Sequence, residues 1–429
     1  MLFDRSAPPA SPAAVILAAS LVLAVAAGSR SSWGLFIGPI NSASGFGPAA
    51  VSLAVATSAL AWGIAQPVCG ALVRHIGAPR LLAAGGLLVA ALTALVPLAG
   101  SGVELVLVMA AAGAAGAAAG SAPLLMGIVA QRVSPEARGF ALGAVSAGSS
   151  VGQLAAAPLL AATIAAFGWQ AAVFGLAACA LLVVPLARTF RSATGVPGGV
   201  HRRDAGPVVT LRSAFANRNY WLVTAGFFVC GFHVSFLTTH MPGVIDLCGL
   251  PAGLSGAWLA VVGGCNIVSS LGAGYLMQRL PMKSLLATVY ALRALGVVAF
   301  IALPKSELVL FGFALWMGLT YMATLPPTTG LIAQLFGARN VATLFGVTTL
   351  VHQVGSFLGA WLGGVEVQLT GGYAFVWWID AALALGAAAA HLPIREAGRA
   401  PVAASGALAP VAASGTLAPA ARQAAALAA

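Results

Sequence analysis

Long apolar runs, separated by short polar loops, fill almost the whole chain of 429 residues. A helix needs about 20 consecutive apolar residues to cross the hydrocarbon core of a bilayer. Only helices and closed barrels satisfy their backbone in lipid, and unbroken apolar runs indicate helices rather than alternating barrel strands. The pattern predicts twelve helices, near residues 13–38, 49–73, 80–99, 103–130, 138–164, 169–188, 219–241, 253–277, 283–303, 307–333, 340–364 and 372–392.

The second half of the chain repeats the first at an offset of about 203 residues. The segment from Gly28 to Pro39 returns as the segment from Gly231 to Pro242, and Gly152 returns as Gly355. The repeat predicts an all-α membrane protein whose twelve transmembrane helices form two pseudo-symmetric six-helix bundles. The predicted parts are a cytoplasmic N-terminus (1–12), an N-terminal bundle (13–188), a cytoplasmic linker (189–218), a C-terminal bundle (219–395) and a disordered cytoplasmic tail (396–429).

Composition and charge agree with a membrane location. Apolar residues make up 60% of the chain and charged residues 7%, against about 25% charged residues in soluble domains. The formal net charge is +11, but most basic residues fall in alternate loops and in the tails, and Lys305 alone lies in the opposite loops. This distribution follows the positive-inside rule, so we expect both termini in the cytoplasm and no nucleic-acid partner.

Several function classes lack their motifs. The five cysteines form no CxxC pair and lie mostly in apolar runs, where they are expected to act as small apolar residues. The sequence has no metal-ligand cluster, no Ser–His–Asp set with plausible spacing, and no Gly-rich nucleotide loop with its lysine. We therefore expect no enzyme activity, no cofactor, no metal and no direct use of ATP.

The loop after the second helix carries a family motif. It runs from Gly70 to Arg80, and its copy after the eighth helix runs from Gly274 to Lys283. With the twelve helices and the basic linker, this loop resembles the major facilitator superfamily of secondary transporters, over residues 13–395. The family pattern is Gly-x-x-x-Asp-Arg/Lys-x-Gly-Arg-x-Arg/Lys. The gate-loop residues taken from this resemblance are Arg74, Arg80, Gln278 and Lys283, with Arg74 and Gln278 standing where the family has Asp.

A narrower resemblance is to bacterial monocarboxylate-porter-like members of that superfamily. It rests on Gly231-Phe-His233, on Asn266-Ile-Val-Ser-Ser270, and on the stretch of the eleventh helix that runs from His352-Gln353 to Gly364. The resemblance implies a monocarboxylate substrate and a location in the bacterial inner membrane. Porters of this type often hold the carboxylate with an eighth-helix arginine, but Ser270 occupies that position here, so another cation has to take its place.

Three full charges fall inside the predicted helices: Arg30, Arg293 and Asp380. Each costs about 2.5–3.5 kcal/mol at the bilayer centre on insertion scales, so each needs compensation. Arg293 and Asp380 lie at similar depth in helices of the same half, which predicts a structural ion pair. The alternative is that either residue handles substrate or protons.

Arg30 has no obvious acidic partner, and the repeat pairs it with His233. A guanidinium binds a carboxylate with two hydrogen bonds, and a histidine can add a hydrogen bond or a second charge. The predicted substrate-binding residues are Arg30, Trp33, His233, Asn266, Tyr321, His352 and Gln353. The alternatives are that Arg30 points outward to the interface or bonds to backbone carbonyls, and that His233 is a hydrogen-bonded structural residue.

These features predict a monomeric secondary active transporter of a small organic anion, with a monocarboxylate as the expected substrate. Alternating access requires the two bundles to rock around a central site. Either co-transported protons or the anion gradient supplies the energy, and the sequence leaves both open. The first alternative is an exporter of drug-like or other small solutes, which for cationic compounds requires Arg30 to face away from the cavity. A remote alternative is a membrane sensor that binds without transport.

Overall fold

A computed structural model describes residues 10–130, 132–133, 138–191, 209–337 and 340–396, and the described residues contain helices and no strands. Twelve helical segments cross the fold. They are α1 (Pro12–Ser31, continued by Trp33–Phe36 and Ile37–Ser44), α2 (Pro48–Ile76), α3 (Ala78–Leu95), α4 (Gly102–Gly120, continued by Ala122–Ala130), α5 (Arg138–Phe167), α6 (Trp169–Leu181, continued to Phe190), α7 (Arg218–Leu247), α8 (Gly253–Leu276), α9 (Met282–Ala302), α10 (Glu307–Tyr321, continued by Met322–Thr324 and Leu325–Phe336), α11 (Val341–Thr370) and α12 (Ala374–His391).

Eleven of these segments are long and apolar enough to cross a membrane, as judged over the described ranges. The remaining one, α11, has 30 residues, and His352 and Gln353 near its middle lower its hydropathy. The twelve predicted helices are thus all present as helices. Of the predicted linker, the structure describes residues 189–191 and 209–218, which include a short helix, Leu211–Phe215. Residues 397–429, to which the prediction of a disordered tail refers, lie outside the described part.

Serine side chains cap the starts of several helices. The Ser101 hydroxyl accepts the N–H of Glu104 at 3.2 Å at the start of α4, and the Ser306 hydroxyl accepts the N–H of Val309 at 3.4 Å at the start of α10. Each cap satisfies one of the four N–H groups that a helix start leaves free. Gly371 ends α11 with a φ of +73°, in the left-handed region that a side chain would disfavour.

Helix α7 is longer than the sequence suggests. We expected it to end at about residue 241 because Pro242 follows, yet it continues through Pro242 to Leu247. A proline removes one backbone hydrogen bond from a helix, but neighbouring helices in a membrane bundle tolerate such a defect. Pro67 in α2 and Pro158 in α5 are accommodated in the same way.

The two halves repeat the same helix pairings. In the first half α1 packs on α5, α2 on α4, and α3 on α6; in the second half α7 packs on α11, α8 on α10, and α9 on α12. The repeated glycines explain part of this pairing. Gly152 of α5 lies against the backbone of Ala24, and its counterpart Gly355 of α11 lies against the backbone of Phe228. A side chain at either position would collide with the facing backbone, so the repeat preserves two close helix crossings.

The halves meet along two helix pairs, α2 with α11 and α5 with α8, and where the turn Trp33–Phe36 touches α7. Gly34 lies against the backbone of Thr238 and Thr239, Gly256 against Ala157, and Gly364 against Ser52. All of these contacts lie toward the end of the bundle where α1 stops and α2 starts. The glycine-rich pairing therefore closes one end of the molecule.

The opposite end, where α1 begins and α6 stops, is open. The cavity-side helices carry glycines there too, but a side chain added to them would meet no atom of the described residues within 4 Å; these glycines are Gly70, Gly143, Gly272 and Gly346. The halves therefore touch through glycines at one end, whereas these four glycines at the other end of the same helices meet no side chain or backbone of the opposite half. The space between them is the candidate site.

Candidate substrate cavity

Arg30 faces the space between the halves. It lies in the last turn of α1, well inside a membrane-spanning segment, yet its side chain is exposed. Its guanidinium carbon lies 3.8 Å from the ring centroid of Trp62 on α2. A guanidinium over an indole face is held by the ring quadrupole while its N–H groups stay free for a ligand.

A narrow cleft of about 70 Å³ opens beside Arg30 within the first half. Its walls combine small and apolar side chains from α1, α2, α3, α4 and α6 with five aromatic or hydroxyl residues. The lining includes Val25, Ala26, Trp33, Ser58, Trp62, Thr93 and Gly116. Trp33 itself is buried, and its ring centroid lies 5.2 Å from that of Phe36. The cationic head of Arg30 therefore borders a largely apolar surface.

Tyr321 comes from a break in α10. The first part of that helix ends at Tyr321, a tight turn follows, and Pro326 and Pro327 open the next part. The last carbonyl groups of a helix have no hydrogen-bond donor within that helix, and here a buried arginine donates to them. Nη2 of Arg293 donates to the carbonyl oxygens of Thr320 and Tyr321, each at 2.7 Å.

Asp380 bonds to His233, which corrects the expected direct ion pair between Arg293 and Asp380. Asp380 Oδ2 lies 2.7 Å from His233 Nδ1, the only ion pair within 4 Å that the described ranges contain. The fully buried Arg293 interacts with Asp380 electrostatically without bonding to it. The reason is the break in α10, which offers Arg293 two carbonyls, while His233 on α7 points toward α12.

Because of this contact, the His233 side chain points into the second half and does not line the cavity wall. Its side chain is buried, with the second ring nitrogen, Nε2, 3.3 Å from the sulfur of Met317. The repeat correctly pairs its position with Arg30, but the two side chains point into different surroundings. Arg30 meets the interior space, and His233 meets the core of the second half.

Cys230 belongs to this polar cluster, although the sequence suggests an inert apolar residue. Its sulfur lies 3.2 Å from Oγ1 of Thr324 and also interacts with Arg293 and His352. The His352 ring centroid is 4.6 Å from that of Phe227, and its Nδ1 has no hydrogen-bond partner. Cys230 lies three residues before His233, on the same helix face, and that spacing is the signal that could have identified it.

Asn266 and Gln353 lie on the two seams between the halves. Nδ2 of Asn266 donates to Oε1 of Gln153 at 2.9 Å, which joins α8 to α5. The Gln353 side chain of α11 packs against Gly63 of α2. Sequence reasoning missed Gln153, although a polar residue in an apolar helix is a usable signal. Both predicted site residues thus contribute to the contact between the halves.

The sequence model of the Major Facilitator Superfamily matches residues 19–360. The chain belongs to the major facilitator superfamily. Among its relatives, the uncharacterized MFS-type transporter YcxA of Bacillus subtilis is 26% identical over 258 residues, which span 56% of this chain and 60% of that protein. Monocarboxylate transporter 13 of Rattus norvegicus is 25% identical over 371 residues, which span 84% of this chain and 83% of the transporter.

Solved structures share the superfamily fold. A bacterial homolog of the human lysosomal transporter Spinster, in an inward-facing and unoccupied conformation, superposes with a TM-score of 0.69 at 17% identity, covering 90% of this chain and 99% of that one. A D-xylose-proton symporter gives a TM-score of 0.68 at 15% identity, covering 89% and 97%. Family and fold together identify a membrane transporter, and they agree with the expectation that the chain is not an enzyme.

The gate-loop residues of this superfamily member lie at the open end and differ in their contacts. Nζ of Lys283 donates to the Ile394 carbonyl at 2.9 Å, and its backbone N–H donates to Oε1 of Glu396 at 2.5 Å. Lys283 therefore fixes the C-terminal end of α12. Gln278 is exposed and bonds within its own turn, Arg80 is exposed, and the Arg74 side chain lies outside the described part.

Proposed function

We propose that this superfamily member carries a small organic anion, with a monocarboxylate as the first candidate, by alternating access. The observation that carries the proposal is Arg30, a cation exposed to the interior space from within a membrane-spanning helix. No carboxylate of the described residues lies within 4 Å of it. An arginine at the depth of the membrane that has no acidic partner needs a compensating anion, and the carboxylate of a substrate provides one.

The surroundings of Arg30 suit an anion with an apolar part. The guanidinium binds the carboxylate with two N–H groups, while Trp62 and Tyr321 contact the remainder of the molecule from the two halves. The likeness to Monocarboxylate transporter 13 supports this substrate class. An exporter of cationic compounds is a poor fit, because Arg30 repels a cation in the same space.

The conformation supports an alternating-access cycle. The two halves touch at one end of the molecule. They are apart at the other end, where α1 begins and where the linker lies. The positive-inside distribution assigns the open end to the cytoplasm, so we propose an inward-open transporter in the inner membrane of a bacterium, with both termini cytoplasmic and working as a monomer. Rocking the bundles closes the Arg30 site from one side and opens it to the other.

Proteoliposome transport tests the proposal. The purified protein is reconstituted into liposomes that contain an unlabelled carboxylate. The exchange of this internal anion for external labelled acetate, lactate, pyruvate or benzoate is then measured. We expect exchange of at least one of these anions by wild type, and a loss of about tenfold to a hundredfold in apparent affinity for Arg30→Gln, because a hydrogen bond to a charged group contributes about 1.5–3 kcal/mol. Arg30→Lys keeps the charge and recovers part of the loss.

The matched control is Arg188→Gln, which removes the same charge from an exposed position at the end of α6. Its exchange rate stays at the wild-type level. Equal exchange by wild type and Arg30→Gln contradicts the site, and the absence of exchange for all four anions contradicts the substrate class.

A further inference from the structure

The cleft beside Arg30 is built by the first half alone. It extends from α1 and α2 to α3 and α6, and its lining residues lie between Val25 and Val183. We propose that this cleft is the subsite for the substituent of the carried anion, and that it selects a short branched group that bears a hydroxyl. The inference rests on the proposed function, because Arg30 has to hold the carboxylate at the edge of the cleft.

Arg30 and Trp62 lie side by side at that edge. Both residues line the cleft, and the guanidinium carbon of Arg30 is 3.8 Å from the ring centroid of Trp62. Gly116 of α4 faces the same indole, because a Cβ added there would lie 3.5 Å from Cδ1 of Trp62. A carboxylate on the guanidinium is therefore next to the cleft, and the missing side chain at Gly116 leaves room beside the indole for the rest of the anion.

The volume of the cleft sets the size of the group that it accepts. An apolar cavity of about 150 Å³ holds the six carbon atoms of benzene. The cleft measures about 70 Å³, so by the same measure it holds about three heavy atoms. A branched group such as isopropyl has that size. Acetate leaves the cleft empty, and the ring of benzoate exceeds it.

Three hydroxyl groups give the mostly apolar wall its polar points. They belong to Ser29, Ser58 and Thr93, and Thr93 is only 4% exposed. None of these three hydroxyls is hydrogen-bonded to another residue of the described part, whereas the Thr57 hydroxyl, one residue before Ser58, donates to the Leu53 carbonyl at 2.9 Å. A buried hydroxyl without a partner is costly, and a hydroxyl on the substituent supplies the missing bond.

Competition in proteoliposomes tests the size limit. Exchange of labelled butyrate by the full-length protein is measured against unlabelled acetate, isovalerate and benzoate. Each buried CH₂ group is expected to improve the apparent affinity about fourfold, so isovalerate binds at least about tenfold more tightly than acetate, and benzoate binds more weakly than isovalerate. In Gly116→Val the added side chain fills the space beside Trp62, and the ratio of the isovalerate and acetate affinities falls to about one.

The matched control is Gly175→Val. Gly175 of α6 is exposed and does not line the cleft, and a Cβ added there would meet no described atom within 4 Å. Its affinity ratio stays at the wild-type value. A wild-type ratio near one, or a wild-type ratio in Gly116→Val, overturns the inference and leaves the anion site at Arg30 standing. The absence of exchange for every anion contradicts the proposed function and the inference with it.

A matched pair of anions tests the preference for a hydroxyl. 3-Hydroxybutyrate has the shape of isovalerate with a hydroxyl in place of one methyl group, and Thr93→Val makes the same exchange in the protein. The ratio of the 3-hydroxybutyrate and isovalerate affinities is expected to fall about fivefold in Thr93→Val, which is the effect of losing one uncharged hydrogen bond. An unchanged ratio overturns the preference for a hydroxyl.

Cysteine modification measures the cleft without a substrate. In a background without the five native cysteines, Ser58→Cys is treated with methyl or benzyl methanethiosulfonate, which add a group smaller or larger than the cleft. The rates are compared with those at Gly346→Cys, which has open space beside it. Relative to that control, the methyl reagent is expected to react at least about tenfold faster than the benzyl reagent, because thiol reactivity requires access. No reaction with the methyl reagent, or equal relative rates, overturns the inference whatever the substrate.

Discussion

At the scale of single residues, the two halves use equivalent positions for different purposes. Arg30 projects into the interior space, whereas His233 binds Asp380 in the core of the second half. The difference follows from what faces each side chain. Position 380 is an aspartate, and the matching position in the first half is Ala177, so only the second half has an internal acid for its α7 side chain.

Arg293 and Asp380 give a prediction about buried charges. Arg293→Met removes two hydrogen bonds and leaves Asp380 without its counter-charge, so we expect a loss of about 3–5 kcal/mol in the free energy of unfolding. The double variant Arg293→Met/Asp380→Leu is expected to lose less than the sum of the two single variants, because the charges interact without touching. Denaturant unfolding in detergent gives the free energy of unfolding of wild type, of each single variant and of the double variant. Strict additivity contradicts an electrostatic interaction between them.

At the scale of helices, α12 depends on a residue from its neighbour. Glu366 of α11 is buried, and its carboxylate accepts the N–H of Phe375 at 2.6 Å and of Val376 at 2.7 Å. These are two of the free donors at the start of α12. A carboxylate at a helix start is also favoured by the helix dipole, so one side chain connects the last two helices and sets where α12 begins.

Replacing this cap tests the dependence. Glu366→Ala leaves two buried N–H groups without partners, and we expect about 2–4 kcal/mol less stability and faster amide exchange at Phe375 and Val376. Glu104→Ala is the matched control, because Glu104 is exposed and accepts a single N–H, from Gly100 at 2.8 Å. We expect its cost to stay below about 1 kcal/mol. Thermal unfolding and hydrogen exchange in detergent distinguish the two, and equal costs contradict the assignment.

At the scale of the whole molecule, glycine placement separates a closed end from an open one. Ala157 is fully buried against Gly256, whereas Gly346 has open space beside it. The proposed rocking motion exchanges these environments, since the seam that contains Ala157 has to part when the other end closes.

Cysteine labelling measures that exchange. In a background without the five native cysteines, Gly346→Cys is expected to react with a membrane-permeant maleimide about tenfold faster than Ala157→Cys, because thiol reactivity requires access. Adding a transported carboxylate to the vesicles is expected to reduce the difference between the two labelling rates, because a smaller fraction of the molecules then has the Gly346 end open. Equal labelling of both positions without substrate contradicts the described conformation.

The sequence by itself determined the architecture. Long apolar runs fix the helices, because lipid leaves the backbone no other way to satisfy its polar groups, and the repeat fixes two equivalent bundles. The same reasoning singled out Arg30, since an unpaired charge in an apolar run is costly wherever the helix packs. It missed the extension of α7 past Pro242, because the tolerance for a proline depends on neighbouring helices.

Only the tertiary structure decided which polar groups meet. Arg293, Asp380 and His233 are separated widely in sequence, and their pairing depends on helix rotation and on the break at Tyr321, neither of which a hydropathy pattern encodes. Gln153 with Asn266, and Cys230 with Thr324, are contacts of the same kind. A side chain's partner in a membrane bundle is set by the few degrees of rotation at which close-packed helices fit together, so it emerges from packing and not from the linear order of residues.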